Sequence, residues 1–427
     1  MIVKQYQYLI ILLIAIAQPL ADAQDWYAYP YTHGTISATD TDSDMHAYLG
    51  GKLESSFMQS KASLRFLSQN NKAALWPGEV WTEFNINYQW FLKFGYFPEQ
   101  NSIMTVFPLL NVFQSTIFSN VLSWGGKNYP DSTTLLTFGF IHNELSLKLL
   151  INPFEAEWNY TDTDDLFFPH HTIPQTQTFG AAEYTLHETS VEQAAWKWFD
   201  LKKIPEMALE ARWQGYPIDS RLQIFYGTDR ATLLQPVIEL NTYPFRSYSF
   251  LLRPKHGNIL QIGGNVAIPL NDVSIYLESA IQLNALNLGS TLKIEDSQLV
   301  YPLIHQHVLK ISGGGLWMLP RLPIRFLAEI YYNWILYSEE TKTLGTLSRA
   351  AVAATDISLF NDAIVITPMV LISLKDASQM YSLRASWRLR DEFSFWLAGL
   401  QCNGPDNSEL GPYRHTIYWR IGLEWSL

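Results

Sequence analysis

The chain is 427 residues long, with 40 acidic against 29 basic residues and a formal net charge of −11. That balance argues against a nucleic-acid partner, which calls for a basic stripe, and the single cysteine, Cys402, excludes an internal disulfide framework. Aromatic residues make up 14% of the chain and charged residues only 16%, against roughly 25% charged in soluble domains, so the protein has either large cores or an oily outside.

At the N-terminus, Lys4 precedes an apolar run over 9–17 (LIILLIAIA), and Ala21-Asp22-Ala23 offers a small-x-small cleavage signal. The expectation is a secretory signal peptide over 1–23, too short to span a membrane, followed by a single domain over 24–427. No later stretch has eighteen consecutive apolar residues, so no transmembrane helix is expected.

Alternation takes over from there. Val80, Thr82, Phe84, Ile86 and Tyr88 alternate with Glu79, Trp81, Glu83, Asn85 and Asn87. Further along, Met207, Leu209, Ala211 and Trp213 alternate with Ala208, Glu210, Arg212 and Gln214, and Ile324, Phe326, Ala328, Ile330 and Tyr332 share one phase against Arg325 and Glu329. Near the end, Tyr381, Leu383, Ala385, Trp387 and Leu389 alternate with Ser382, Arg384, Ser386, Arg388 and Arg390. Such period-2 runs predict strands with one apolar and one polar face. In chain order the expected strands are 46–57, 60–68, 79–88, 89–97, 134–141, 143–152, 205–214, 221–227, 233–242, 246–253, 258–268, 272–283, 304–316, 323–336, 350–359, 363–373, 380–389, 393–401 and 413–427.

The connections between these strands alternate in length. Tight turns stand at 142–144, 216–220, 269–272 and 390–392, and longer polar connections at 69–78, 284–300 and 338–347. Two are very long, about 98–133 and 153–203, and both are expected on the outside. Short turns at one end and long loops at the other are the pattern of a transmembrane β-barrel. A soluble β-sandwich would alternate too, but it would not need systematic alternation of loop length or full charges in mid-strand. The expected fold is therefore an all-β, antiparallel, up-and-down barrel. The strand list is odd and single-chain barrels are even, so about 18 strands (16–20) are expected, with 24–37 supplying a strand or 221–227 dropping out.

The closing run HTIYWRIGLEWSL places Leu423, Trp425 and Leu427 at the fifth-last, third-last and last positions. It resembles the recognition strand of bacterial outer-membrane proteins, although that family usually ends in Phe. The strand and loop pattern resembles a porin-type barrel, and WFLKFGYFPEQ over 90–100 is similar to a segment found in several porin-like families. The resemblance implies a bacterial outer-membrane location, recognition by the barrel-assembly machinery through Leu423, Trp425 and Leu427, and contact with outer-membrane lipid. It also implies passive diffusion of small hydrophilic solutes. Two alternatives stand beside it: a transporter for hydrophobic compounds with 24–36 as an N-terminal hatch, and a surface adhesion or structural barrel with the two long loops as binding elements.

Candidate functional residues follow from phase. Arg212, Arg221, Glu210, Glu278, Arg325, Glu329, Arg384, Arg388, Arg420 and Glu424 fall on the polar phase and are expected to line a pore. Rings of Arg favour anions and rings of Asp or Glu favour cations, whereas a mixed set can also pair off and brace the wall. In TSVEQAAWKWFDLKK, Thr189 and Glu192 form a capping box ahead of an amphipathic run. This predicts a helix bearing Glu192, Trp196 and Trp198 that either folds inward as a constriction or lies outside as a lid. Asp40, Asp42 and Asp44 match the opening of a calcium loop, but Met45 and Gly51 stand where its glycine and closing glutamate belong. His170-His171 beside Asp162, Asp164 and Asp165 is a weaker cluster still, so no metal is expected. With no Gly-x-Ser-x-Gly and no His-Glu-x-x-His motif, neither an enzyme nor a cofactor is expected.

Overall fold

Residues that alternate in polarity can form a sheet only if each face meets a different solvent, and the strands of this protein do so throughout. The computed structural model describes residues 27–38, 43–55, 57–69, 72–99, 102–113, 133–154, 176–179, 181–191, 201–229, 233–242, 245–289, 291–295, 298–336, 341–342, 348–405, 408–411 and 417–426.

Strands β1 (Tyr27–Ala38), β2 (Ser43–Glu54), β3 (Met58–Gln69), β4 (Lys72–Asn85) and β5 (Trp90–Phe97) come first, and β6 (Thr133–His142) and β7 (Leu145–Phe154) follow the first long connection. Next are β8 (Thr176–Phe179), β9 (Ala182–Val191), β10 (Leu201–Gly215) and β11 (Ile218–Thr228). A hairpin of β12 (Leu233–Asn241) and β13 (Ser247–Lys255) precedes β14 (Asn258–Leu270) and β15 (Val273–Gly289). The short β16 (Lys293–Glu295) and β17 (Gln298–Val300) lead into β18 (Leu303–Met318), β19 (Ile324–Ile335) and the two-residue β20 (Thr341–Lys342). β21 (Arg349–Leu359), β22 (Ile364–Ser373), β23 (Gln379–Arg390), β24 (Phe393–Asn403) and β25 (Ile417–Ser426) complete the set.

One sheet has 19 strands. Its antiparallel pairings follow chain order from β1 to β7, then pass from β7 to β10, β11 to β14, β15 to β18 and β19 to β21. β25 pairs back onto β1, from His33↔Ser426 to Ala38↔Ile421, so the pairing returns to its start. β20 only extends the end of β15. At one end of the sheet the turns are minimal. Asn143 and Asn271 open two-residue turns at φ of 50° and 51°, the left-handed conformation that such hairpin turns require.

Burial in this sheet is inverted relative to a soluble protein. On the outer phase Leu149, Leu209, Ile224, Leu277, Ile330 and Trp387 are exposed, while on the inner phase Glu210, Gln223, Gln261, Glu278, Ser312 and Glu329 are buried.

A second sheet of six strands runs β16-β17-β12-β13-β9-β8, built from connections at the end opposite the minimal turns. It packs on Tyr184, Ile238 and Tyr248. Several expectations are corrected here. Residues 233–242 and 246–253 belong to this second sheet, not to the wall: β11 pairs with β14, and the β12–β13 hairpin stands outside. Residues 221–227 are a full wall strand, β11. Residues 27–36 of the candidate hatch are part of β1, paired on both sides, and 24–26 lie outside the described residues. The supposed loop over 69–78 is largely strand, because β4 begins at Lys72. Residues 1–23, the expected signal peptide, lie outside the described residues.

Candidate pore constriction

Between β5 and β6, residues 102–113 (SIMTVFPLLNVF) leave the rim and lie against the inner face of the wall. This stretch forms no strand, so its backbone N–H groups need other acceptors, and two wall glutamates supply them. Glu278 of β15 accepts from Leu109 N at 2.5 Å and Leu110 N at 2.8 Å on Oε1. Its Oε2 accepts from Ser102 Oγ at 2.9 Å, Ile103 N at 3.2 Å and Asn265 Nδ2 at 3.5 Å. Glu329 of β19 takes Thr105 N at 2.8 Å, Val106 N at 2.9 Å, Phe107 N at 3.2 Å and Tyr276 OH at 3.2 Å. A buried carboxylate is costly unless its lone pairs are filled by good donors, and these two are filled by the segment they hold.

The apolar side chains of the segment complete the anchorage. Phe107 stacks on Tyr331 with centroids 5.3 Å apart and joins a buried cluster with Val352, Leu371, Met380 and Leu400 from β21–β24. Phe113 meets Phe225 edge-on at 5.3 Å, and with Val112 it packs into a second cluster with Phe97, Leu135 and Leu150. Leu110 sits fully buried against Gly263. A Cβ at Gly263 would come within 2.7 Å of Leu110 Cδ2 and of the Ser279 carbonyl oxygen, so a residue with no side chain is needed for this approach. The segment thus reaches from β5 across to the β19–β24 side and returns to β6.

At the same rim, residues 408–411 bend inward and place Leu410 in the Phe107 cluster. Glu409 there accepts from Ser348 N at 3.1 Å, Ser348 Oγ at 2.8 Å and Ser373 Oγ at 2.8 Å. Its own N–H donates to Asp376 Oδ2 at 2.6 Å, and Ser378 donates to Asp376 Oδ1 from both N and Oγ. Burial of Asp376 favours its neutral form, but the hydrogen bonds from Ser378, Glu409 and Ser373 outweigh it and hold the carboxyl below its ordinary range.

Below these segments the inner face carries mixed charge, mostly paired. Arg212 grips Asp219 (Nε–Oδ1 3.2 Å, Nη2–Oδ2 2.7 Å). Arg325 donates to Asp356, and Lys148 is 2.8 Å from Glu99. Arg384 is buried, 4.8 Å from the Trp396 ring. Glu210 lies 3.6 Å from Arg221, both buried.

No protein-family model matches the chain, and no curated protein matches it by sequence. Solved structures do. OccK5 (OpdH) of Pseudomonas aeruginosa superposes with a TM-score of 0.52 at 8% identity, over 94% of this chain and 98% of that one. OprD of Pseudomonas aeruginosa gives 0.49 at 11% identity over 95% and 97%, and OmpF of Salmonella typhi gives 0.43 at 9% over 94% and 97%. The fold is that of a porin-type β-barrel.

Within this porin-type barrel the residues singled out from the sequence separate into groups. Glu278 and Glu329 hold the inward segment, a role their phase alone did not suggest. Arg212, Arg221, Arg325, Arg384 and Glu210 are on the inner face in the contacts above, and Arg388 is exposed near the minimal-turn end. Arg420 and Glu424 stand in β25 opposite Ala398 and Ser394. Leu423 and Trp425 lie in the same strand, and Leu427 is outside the described residues.

The amphipathic helix is corrected in part. Thr189 is in strand β9, which pairs in parallel with β13, and Leu201 opens β10. Extended pairing satisfies the backbone there without a helix. Glu192, Trp196 and Trp198 lie outside the described residues, as do Asp40, Asp42, Asp162, Asp164, Asp165, His170 and His171. No metal-binding cluster stands among the described residues. The inward element is the other long connection, placed outside by loop-length reasoning. Its signal was composition: SIMTVFPLLNVF is too apolar to be solvated as an external loop.

Proposed function

We propose that the protein is a channel of the bacterial outer membrane through which small hydrophilic solutes diffuse passively, narrowed by residues 102–113. The observation that carries this reading is the anchorage of that segment by Glu278 and Glu329 on the inner face of a wall whose outer face is apolar. Lipid demands that every backbone polar group be paired, which fits pairing that returns from β25 to β1. With β20 set aside the wall reads as an 18-stranded barrel, wide enough to enclose water. On this reading residues 1–23 direct export, Leu423, Trp425 and Leu427 address the barrel-assembly machinery, and the paired inner charges set selectivity. No enzymatic role is part of it.

Planar-bilayer recording tests the proposal. Wild-type protein is expected to give ohmic steps, and the double variant Glu278→Ala/Glu329→Ala larger and noisier ones. Folded protein that inserts without conducting overturns the channel. A carrier for apolar compounds is the second reading, favoured by the apolar inner clusters beneath Phe107 and Phe113. It is expected to take up an apolar dye into vesicles while giving no ionic steps.

A further inference from the structure

Among the described residues, four glutamates are buried on the inner wall: Glu206, Glu210, Glu278 and Glu329. Three are filled with donors. Glu206 accepts from Asn152 Nδ2 at 2.9 Å and Thr228 N at 3.2 Å, and Glu278 and Glu329 accept from the inward segment. Glu210, 1% exposed, is the exception among the described residues, because neither of its carboxylate oxygens accepts a hydrogen bond. The nearest cation, Arg221 Nε, stands at 3.6 Å, which is charge contact without a hydrogen bond. Its cross-strand neighbour Gln223, also 1% exposed, leaves both amide atoms without partners. Buried polar groups are ordinarily hydrogen-bonded, so these two call for a further partner.

Beside Glu210 the wall has a niche of about 190 Å³ near the minimal-turn end, lined by Glu144, Ser146, Lys148, Glu210, Arg212 and Gln214. Lys148 is directly opposite Glu210 across the strands, and Arg212 follows two residues along β10, which puts them roughly 5–7 Å from it. Glu144 is exposed to water, and the other charges already balance. Lys148 pairs with Glu99, Arg212 with Asp219 and Arg221 with Glu210. A ligand of one sign would leave a buried charge uncompensated, whereas a molecule carrying both signs adds none. Donors remain for its negative end, since an ammonium has three N–H groups and a guanidinium five. The volume equals about six waters at roughly 30 Å³ each, the size of a short amino acid.

From this we propose that the niche binds a small zwitterionic solute, its ammonium on Glu210 and its carboxylate on Lys148 and Arg212. The inference rests on the channel reading, to which it adds a solute station at the exit, but its test does not depend on conduction. Glycine, β-alanine and 4-aminobutyrate are titrated into folded, detergent-solubilised protein by calorimetry, with ethylamine and propionate as single-charge controls.

Charge-assisted hydrogen bonds are roughly twice as strong as neutral ones. At least one of the zwitterions is therefore expected to bind about tenfold or more tighter than either control. Glu210→Gln and, separately, Lys148→Met should each weaken that binding by a similar factor, with folding checked by heat-dependent gel mobility. No zwitterion binding by folded protein, or equal binding by both variants, overturns the niche, and ethylamine binding as tightly overturns its zwitterion character. Protein that binds glycine and does not conduct refutes the channel while supporting the niche. Protein that conducts and does not bind refutes the niche alone.

Discussion

Glu278 and Glu210 are both buried carboxylates on the inner face of one wall, 0% and 1% exposed, and they differ in almost everything else. Glu278 is saturated by the backbone of an inserted segment, whereas Glu210 accepts nothing. Equal burial therefore does not assign equal roles. The donors around a carboxylate decide whether it anchors a segment or rests on an ion pair alone, because burial supplies the cost and hydrogen bonds or a counter-charge offset it.

The largest way to break this comparison is Glu278→Gln. An amide cannot accept all the donors that the carboxylate oxygens hold, and each orphaned buried N–H costs about 1–3 kcal/mol. A loss on the order of 3–5 kcal/mol is expected, read from the urea midpoint in vesicles, together with wider current fluctuation. Next is Phe107→Ala, which empties the ring site against Tyr331 and the β21–β24 cluster. Large-to-small core changes of this kind cost about 3 kcal/mol or more when the site cannot collapse. Part of that should be recovered here because the segment can shift. Glu210→Gln removes no hydrogen bond but takes the counter-charge from buried Arg221, so a cost of about 1–3 kcal/mol, below that of Glu278→Gln, is expected. A cost as large as that of Glu278→Gln would erase the distinction.

The smallest effect concerns the rim. The Asp376 carboxyl is held below its unfolded value, so its contribution is fully present above that value and is lost as pH falls through the lower, folded one. Proteolysis at 408–411 is expected to rise over that acid window and to lose this dependence in Asp376→Asn.

The wall was legible from the sequence because period-2 alternation is a direct image of a two-solvent sheet, and the minimal turns at Asn143 and Asn271 marked its register. Two features were hidden for different reasons. Val237, Ile238, Tyr248 and Phe250 form strands as readily as wall residues do, and only their partners, β9 and β17, reveal that they belong to another sheet. Glu278 and Glu329 fall on the polar phase like any inner charge, so their grip on residues more than 160 positions away leaves no periodic trace. Reading loop length as location failed at 102–113, where apolar content decided instead.

The second sheet has a consequence for how this surface changes over generations. Its strands come from three separate connections, joined by backbone pairing between β9 and β13 and between β12 and β17. External loops on an isolated rim can be exchanged one at a time. Here an insertion that shifts the register of the β12–β13 hairpin disturbs two other excursions of the chain at once, so the outward face is expected to diversify by coordinated replacement, as one inherited block.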